Sequence, residues 1–291
     1  MPEVAGALSP AAGAIAPCSD QDGELVRLWL HGRPPTTRRA YTGDVGRFLA
    51  AVAKPLVAVT LGDVQAYADS LADLAPATQA RQLSAVKSLL AFGHRIGVLP
   101  VNVGAALRLP KLRSRLAERI LPEATVQRLL ALEVDPRNRV LLRLAYAGGL
   151  RVSELVGLAW RDLQPREDAG QVTVFGKGGK TRTVLLSAAT WTELTALRHD
   201  AGADDPVFRS RRGGHLDPRQ VRRIVLGAAQ RAGLEAKVSP HWLRHAHASH
   251  ALDRGAPVHL VAATLGHASI ATTGKYAHAR PSDSSSRYLA V

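Results

Sequence analysis

Four separated segments of the sequence carry side chains that can bind or transform a phosphate. In the first, two glycines end one predicted helix, and Arg151 lies where the next helix begins. A guanidinium at that point, together with the free N–H groups of a helix start, suits a phosphate. The alternative is structural, because Arg151 can pair with Glu154 one helical turn away. On this segment alone the structural interpretation is favoured.

The second segment is a glycine-rich stretch, residues 176–180, between two runs of β-forming residues. Its end resembles that of a phosphate-cradling P-loop, but Val174 stands where that motif needs a glycine. We therefore predict a β-hairpin turn and no nucleotide site. Lys177 is either a solvated lysine or a mobile proton donor, and Lys180 and Arg182 are alternatives to it on the same hairpin.

The third segment, residues 239–250, contains four histidines and one arginine. If its helix begins at Pro240, His241 and Arg244 share a face of the first turn, where the helix dipole favours an anion. His241 and His245 also have the helical spacing of metal ligands, but an arginine lies between them and no carboxylate ligand is near. We therefore predict no metal site. The remaining histidines are interpreted as packing or surface groups: His245, His247 and His250.

The fourth segment runs from Leu265 to Tyr276. Gly266 is expected to break a helix, so that His267 projects from the turn. Tyr276 follows nine residues later, and its phenol is a possible nucleophile. Spacing alone does not distinguish Tyr276 from the other tyrosines, because the chain has five and most tyrosines are core or surface residues.

The elements that hold these segments are predicted to be mainly helical. The apolar fraction is 46% with only 4% aromatic residues, so aliphatic side chains must form most of the core. Periodicity and start signals predict four helices in the first part of the chain. They are a helix from Asp20 that includes Leu25, Leu28 and Leu30, a helix from Thr37 to Val52, a helix capped by Thr60, and a helix from Ala75-Pro76 to about Ile96.

The second part of the chain is expected to combine helices with one β-hairpin. Helix starts are predicted at Pro122-Glu123, Pro136, Val152, Asp217-Pro218 and Ser239-Pro240, and strands at Gln171 to Phe175 and Thr181 to Leu185. The expected domains are a flexible tail at 1–19, a small helical domain at 20–107, a basic linker at 108–120 and a second domain at 121–291. The composition of the linker is that of a segment that lies along DNA, or equally that of an ordinary charged connector between domains.

Charge and composition limit the class of partner. Lysine and arginine number 38 against 24 aspartates and glutamates, a net charge of +14. Such a balance suits a polyanionic partner, nucleic acid first, and on charge alone it suits a solvated basic surface equally well. The single cysteine, Cys18, excludes a disulfide within the chain. No apolar run of about 18 residues is present, so we expect no membrane span and a cytoplasmic protein.

The order of the four segments resembles the tyrosine recombinase, or phage integrase, family. The stretches GLRVSEL, GKGGKTR, SPHWLRHAHASH and LGHASIATTGKYAH are similar to its signature segments, over about residues 121–280. The preceding region is similar in plan to the family's small helical core-binding domain. Position by position, the resemblance implies six catalytic residues: Arg151, Lys177, His241, Arg244, His267 and Tyr276.

The chemistry that this resemblance implies fits the residue types. Tyr276 would attack a phosphodiester and form a 3′-phosphotyrosyl ester, leaving a free 5′-hydroxyl. The two arginines would bind the charged non-bridging oxygens, with His267 adding a further hydrogen bond. Lys177 would protonate the departing oxygen, and His241 is the candidate base for the phenol. The ester keeps the bond energy, so no metal, ATP or other cofactor is expected.

Two positions depart from the family pattern. Gly148 stands where many relatives have threonine, and Gly274-Lys275 precede the tyrosine where bulkier residues are common. Three other functions remain open on the sequence. They are a type IB topoisomerase, which relaxes DNA without exchanging partners, a catalytically silent DNA-binding regulator, and a histidine-rich metal nuclease.

The resemblance also implies an architecture and an assembly. It predicts a fold that is mainly α with a small β-sheet, arranged as a two-domain C-shaped clamp on double-stranded DNA. A homo-tetramer on paired DNA sites is expected, with a second recombinase or an accessory protein as a possible partner. In residues 282–291, Tyr288 and Leu289 are possible anchors on a neighbouring subunit.

Overall fold

The computed structural model describes residues 20–167, 169–176, 179 and 181–279. Lys177 lies outside the described residues, as do the predicted tail at 1–19 and the predicted anchors Tyr288 and Leu289. The chain divides into two compact units, the first ending at Arg113 and the second beginning at Ser114. This division falls inside the basic segment 108–120.

The first unit is helical throughout its described part. Its helices are α1 (Asp20–Leu30), α2 (Pro35–Val52), α3 (Leu61–Ser70) and α4 (Pro76–Arg95), with short 3₁₀ turns at Leu56–Ala58 and Val103–Ala106. The four predicted helices are therefore confirmed. The apolar stripe of α2 is buried through Val45, Phe48 and Leu49, but Leu28 of α1 is 41% exposed and lies off the core face.

Local signals explain where these helices begin. The Thr60 hydroxyl accepts a hydrogen bond from the Asp63 N–H, and the Asp63 carboxylate accepts one from the Thr60 N–H, which forms a capping box at α3. Proline occupies the first position of α2 and of α4. The predicted cap at Thr60 is therefore confirmed.

The second unit is also mainly helical and contains the site segments. Its elements are α5 (Glu123–Ala131), α6 (Pro136–Tyr146), α7 (Val152–Gly157), β1 (Leu163–Arg166), β2 (Ala169–Phe175), β3 (Thr181–Leu186), α8 (Ala188–Thr195), α9 (Pro218–Arg231), α10 (Pro240–Asp253), α11 (Val258–Leu265) and α12 (Ile270–Ala279), with 3₁₀ turns at Ala117–Arg119 and Trp160–Asp162. The predicted start of α9 is confirmed with Asp217 as its cap. Ser239 precedes α10 but makes no side-chain cap hydrogen bond.

The β-sheet has one more strand than the sequence predicted. β1, β2 and β3 pair in that order, all antiparallel, with Val172 opposite both Leu163 and Val184. β1 has only four residues, includes Pro165, and buries no side chain completely. It lacks the alternating apolar pattern by which an isolated strand is recognised, and proline is tolerated because β1 lies at the sheet edge.

Gly170 allows the sheet to pack closely against α8. A Cβ at this position would overlap the indole ring of Trp191. We therefore expect Gly170→Ala to lower the free energy of unfolding by about 1–3 kcal/mol, because neither the strand nor the ring can move freely. Urea denaturation measures this loss.

The matched control is Gly227→Ala in the middle of α9. A Cβ there meets only the flexible end of Arg231, at 3.6 Å. Since alanine is the better helix former, this variant should gain about 0.5–1 kcal/mol. Equal effects of the two substitutions would contradict the packing argument.

Candidate active site

The predicted residue Arg151 lies at the start of α7, where it is held by a buried carboxylate. Its guanidinium donates to Glu154 Oε1 at 2.8 Å, and its backbone N–H donates to Glu154 Oε2 at 2.7 Å. Glu154 also receives two hydrogen bonds of 2.8 Å from Arg182 on β3. The structural pairing of Arg151 with Glu154 therefore exists, and it orients the guanidinium.

The carboxyl of Glu154 is ionised in this environment. Its side chain is only 3% exposed. Burial acts to raise the pKa of Glu154, but the hydrogen bonds from Arg182 and from Arg151 outweigh it and hold that pKa at about 2. One negative charge thus lies between two guanidiniums, and it fixes both.

Three arginines bind consecutive carbonyl groups at the end of α11. Arg182 Nε donates to the Thr264 carbonyl at 2.6 Å, Arg244 donates to the Leu265 carbonyl, and Arg151 donates to the Gly266 carbonyl at 3.1 Å. The last carbonyls of a helix lack partners within the helix and carry partial negative charge. These contacts fix the turn that precedes His267.

Arg244 is the most buried charged group of this cluster. The residue is 5% exposed, and it also donates to the Gly149 carbonyl. Burial and the nearby positive charge of Arg151 lower the pKa of Arg244 to about 10, so it stays charged at neutral pH. Gly149 has a φ of +59°, and a Cβ there would lie 2.6 Å from Leu265, so glycine is required at this contact.

Tyr276 lies on α12 with its ring buried and its hydroxyl bound. The residue is 6% exposed and packs in a small cluster with four apolar residues: Ile120, Ala248, Val261 and Leu265. The hydroxyl is 2.8 Å from His245 Nδ1. Burial raises the pKa of Tyr276, although the Arg244 charge acts to lower it. The phenol is therefore protonated at neutral pH and close enough to Arg244 to interact with it.

The partner of the tyrosine differs from the one expected. Sequence reasoning chose His241 as the base and interpreted His245 as a packing or surface group, whereas the contact with the Tyr276 hydroxyl is made by His245. His245 lies at the sixth position of α10, and the turn that follows α11 brings α12 back against this helix. The His241 ring lies beside the His245 ring, with 6.3 Å between their centroids.

His241 and His245 both border a small cationic pocket. The cavity holds about 440 Å³ and is lined by Arg119, Lys237, Ser239, His241, Trp242 and His245. His241 is exposed, but partial desolvation of its ring by neighbouring atoms, together with the charges of Arg244 and Arg151, lowers its pKa. The predicted proximity of His241 to Arg244 is therefore confirmed.

His267 projects from the turn after α11, as predicted. Gly266 ends the helix with a φ of +62°, and His267 Nδ1 contacts the Thr273 hydroxyl at 2.8 Å. The His267 ring is parallel to the Tyr276 ring, with 6.4 Å between their centroids. Burial and the charges of Arg244 and Arg151 lower the pKa of His267 to about 4.

The structure thus brings together five of the six predicted catalytic residues, and Lys177 lies outside the described residues. Arg182, one alternative to Lys177, is committed to Glu154 and to the Thr264 carbonyl. Within the described residues, no three His, Cys, Asp or Glu side chains are grouped so as to hold a metal ion. Across those same ranges, no helix is both long and apolar enough to cross a bilayer.

The depressed histidine pKa values predict a loss of stability on acidification. The folded-state pKa values of His245 and His267 are about 4. An unperturbed imidazole has a pKa of about 6.5, so between those two pH values the unfolded chain binds more protons than the folded protein. The free energy of unfolding should therefore fall as the pH is lowered through this window, and it should be insensitive to these rings above it.

Urea denaturation at several pH values measures this dependence. The upper part of the window, from about pH 6.5 to about pH 5.5, lies above the titration of ordinary carboxyl groups and isolates the histidine contribution. His267→Asn, which keeps an acceptor near Thr273 but cannot titrate, should show a shallower loss. Stability that is constant or rises toward acid would contradict neutral, buried rings.

Comparison with known proteins identifies the family of this chain. Residues 115–283 match the phage integrase family, and residues 28–97 match the N-terminal SAM-like domain of phage integrases. The first match alone covers more than half of the chain and contains the whole arginine, histidine and tyrosine cluster. The chain belongs to the phage integrase family.

The chain is similar in sequence to tyrosine recombinases. The chain is 40% identical over 211 residues to tyrosine recombinase XerC of Xanthomonas campestris, a match that covers 70% of this chain and 65% of that relative. It is 36% identical over 263 residues to XerC of Xylella fastidiosa, covering 85% of this chain and 87% of that relative. The chain thus spans just under two thirds of the Xanthomonas protein and most of the Xylella protein.

Solved structures share the fold. A lambda integrase dimer bound to a COC′ core site superposes with a TM-score of 0.73 at 20% identity, covering 91% of this chain and 77% of that chain. XerH bound to its difH substrate in a pre-cleavage complex gives a TM-score of 0.71 at 20% identity, covering 87% and 81%. The mainly helical fold with a small antiparallel sheet is therefore that of the tyrosine recombinases.

Proposed function

We propose that this protein is a site-specific recombinase that cuts and rejoins duplex DNA through a transient 3′-phosphotyrosyl ester on Tyr276. One observation supports this most directly. The buried phenol of Tyr276 is close enough to Arg244 for the arginine charge to act on it, and Arg244 in turn lies near Arg151. A nucleophile next to two fixed guanidiniums suits attack on a phosphodiester.

The site residues are proposed to share the reaction as follows. Arg151 and Arg244 bind the non-bridging oxygens of the scissile phosphate, whose charge grows in the transition state. His267, which stacks beside the tyrosine, donates a further hydrogen bond to the same group. His241 borders the cationic pocket and adds a polar contact at its rim. Glu154 takes no part in the chemistry and holds Arg151 in place.

Lys177 is proposed to protonate the departing 5′-oxygen. An ordinary arginine, with a pKa above about 12, holds its proton too tightly for this role, and Arg244, whose pKa is lowered to about 10, donates to the Gly149 and Leu265 carbonyls. A lysine that loses solvent on DNA binding can give up its proton. The two hydrogen bonds of Arg182 to Glu154 support the choice of Lys177 over Arg182. The phosphotyrosyl ester then reacts with a 5′-hydroxyl from another strand, so rejoining needs no ATP and no metal ion.

The partners are proposed to be duplex DNA and other copies of the same chain. The net charge of +14 favours the polyanion. A lambda integrase tetramer bound to a Holliday junction shares this fold, with a TM-score of 0.72. By analogy we propose a homo-tetramer on two paired DNA sites in the cytoplasm, where the DNA is present.

A recombination assay tests the function. DNA fragments that become covalently attached to the protein in cells are sequenced to find the target site. Two copies of that site on one plasmid should then be exchanged by the purified protein in EDTA and without ATP. Relaxation of supercoils without exchange would favour a type IB topoisomerase, and EDTA-sensitive cleavage would favour a metal nuclease.

A further inference from the structure

The His245–Tyr276 contact joins the nucleophile to a proton acceptor. His245 Nδ1 is 2.8 Å from the Tyr276 hydroxyl, and the centroids of the two rings are 5.6 Å apart. In the neutral tautomer that carries its proton on Nε2, the imidazole accepts at Nδ1 and the phenol donates. The pKa of His245 is lowered to about 4 by burial and by nearby positive groups, which keeps the ring neutral and able to accept.

Both partners are held so that this geometry persists. The tyrosine ring is packed against Leu265 and Val261, and His245 is fixed on α10 next to Arg244, whose guanidinium is anchored to two carbonyls. His245 also borders the cationic pocket of about 440 Å³ that His241 lines. A proton taken from the buried phenol therefore has a route to solvent through the imidazole.

We propose that His245 is the general base that removes the proton from Tyr276 during strand cleavage. This inference rests on the proposed function. As the Tyr276 Oη–phosphorus bond forms and the bond from phosphorus to the 5′-oxygen breaks, the phenolic proton moves to His245 Nδ1. The imidazolium releases its Nε2 proton into the pocket, and Lys177 protonates the 5′-oxygen. In rejoining, the same transfers run in reverse.

The charges around His245 explain why the base becomes effective only on DNA. The groups that face it are His241 and Arg244 on α10, Arg119 in the Ala117–Arg119 turn, His267 after α11, and Tyr276 on α12. In the free protein the positive members of this set disfavour an imidazolium. A phosphodiester bound by the arginines brings negative charge next to them, which favours protonation of His245.

Chemical rescue tests the assignment. The protein is assayed by covalent capture on a nicked duplex that carries the mapped site. His245→Ala should lower the rate of capture by about 100-fold or more, because general-base catalysis of this kind contributes at least that factor. Added imidazole should restore a large part of the loss by entering the space next to the cationic pocket. DNA affinity and the urea midpoint, measured in parallel, should change little.

A second variant separates base catalysis from a structural role. In His245→Asn, the amide oxygen can accept the phenolic hydrogen bond near the position of Nδ1 but cannot take the proton. It should be as slow as His245→Ala at neutral pH and recover as the pH rises toward the pKa of the Tyr276 phenol, which burial raises above its ordinary value of about 10. His250→Ala on the same helix, which removes a contact with Tyr146 instead, should show no imidazole rescue.

The outcomes distinguish this inference from the proposed function. If wild-type protein is captured on DNA and His245→Ala is captured at the same rate, His245 is not the base. Capture by His245→Asn at the wild-type rate, or the absence of imidazole rescue, would equally overturn the assignment. If wild-type protein is never captured, the proposed function itself fails.

Discussion

A Tyr276→Phe protein should bind its DNA site with wild-type affinity and never become covalently attached to it. The substitution removes one oxygen from a ring that is 6% exposed and held by apolar packing, so the fold should persist. Loss of a covalent nucleophile typically lowers the rate by about 10⁴-fold or more, which places the variant below detection. Gel analysis of denatured protein on a nicked duplex measures the attachment.

The matched control is Tyr146→Phe in the same unit. Tyr146 is also partly buried, and its hydroxyl also contacts a histidine of α10, with 2.9 Å between the oxygen and His250 Nδ1. Because Tyr146 has no proposed part in the chemistry, this variant should be captured at close to the wild-type rate. Capture of Tyr276→Phe, or equal loss in both variants, would contradict the assignment of the nucleophile.

Replacement of Arg244 by lysine should have the second largest effect. The guanidinium donates to the carbonyls of Gly149 and Leu265 while its charge acts on the phenol of Tyr276. A lysine keeps the charge but cannot make this fork of hydrogen bonds. We expect strand cleavage to fall by about 10²–10³-fold, since a fixed donor to the transition-state oxygens is lost.

The same substitution should alter DNA binding much less than catalysis, because most affinity for DNA comes from many backbone contacts. Arg231→Lys provides the control: Arg231 also pairs with a buried carboxylate, that of Glu133. It should leave cleavage within about threefold of wild type, as expected for a pair outside the site. Cleavage by Arg244→Lys at the wild-type rate would contradict this prediction, because it would show that a positive charge without the guanidinium hydrogen bonds is sufficient for catalysis.

Most of the helical framework could be predicted because its signals are local. Thr60 and Asp217 cap their helices through side-chain hydrogen bonds with residues two or three positions away. The stripe of Val45, Phe48 and Leu49 repeats with the helical period and is buried. Gly266 ends α11 in the left-handed conformation for which glycine is suited.

The contacts that organise the site could not be predicted in the same way. Arg182 and Glu154 are 28 positions apart, and Arg151 and Gly266 are 115 apart. Pairing over such separations depends on how β3 and α11 pack against α7, which no periodicity encodes. Arg182 was therefore considered only as an alternative proton donor, whereas it is committed to orienting the buried carboxylate.

The contact of His245 with Tyr276 is one that sequence reasoning did not foresee. His241 and His245 are one helical turn apart, and this spacing was weighed only for a metal site. The family resemblance pointed to His241, but α12 places the Tyr276 hydroxyl against His245. One signal for this contact was available in the sequence. His245 lies one helical turn after His241, so both side chains lie on the same face of α10.

The chemical identity of the covalent DNA adduct tests the central claim most directly. Wild-type protein is captured on a nicked duplex carrying its mapped site and digested, and the modified peptide is sequenced by mass spectrometry. We expect a nucleotide joined through its 3′-phosphate to the oxygen of Tyr276, with a free 5′-hydroxyl on the released strand. A nucleotide on any other residue, or a released strand that carries a 5′-phosphate, would contradict the account.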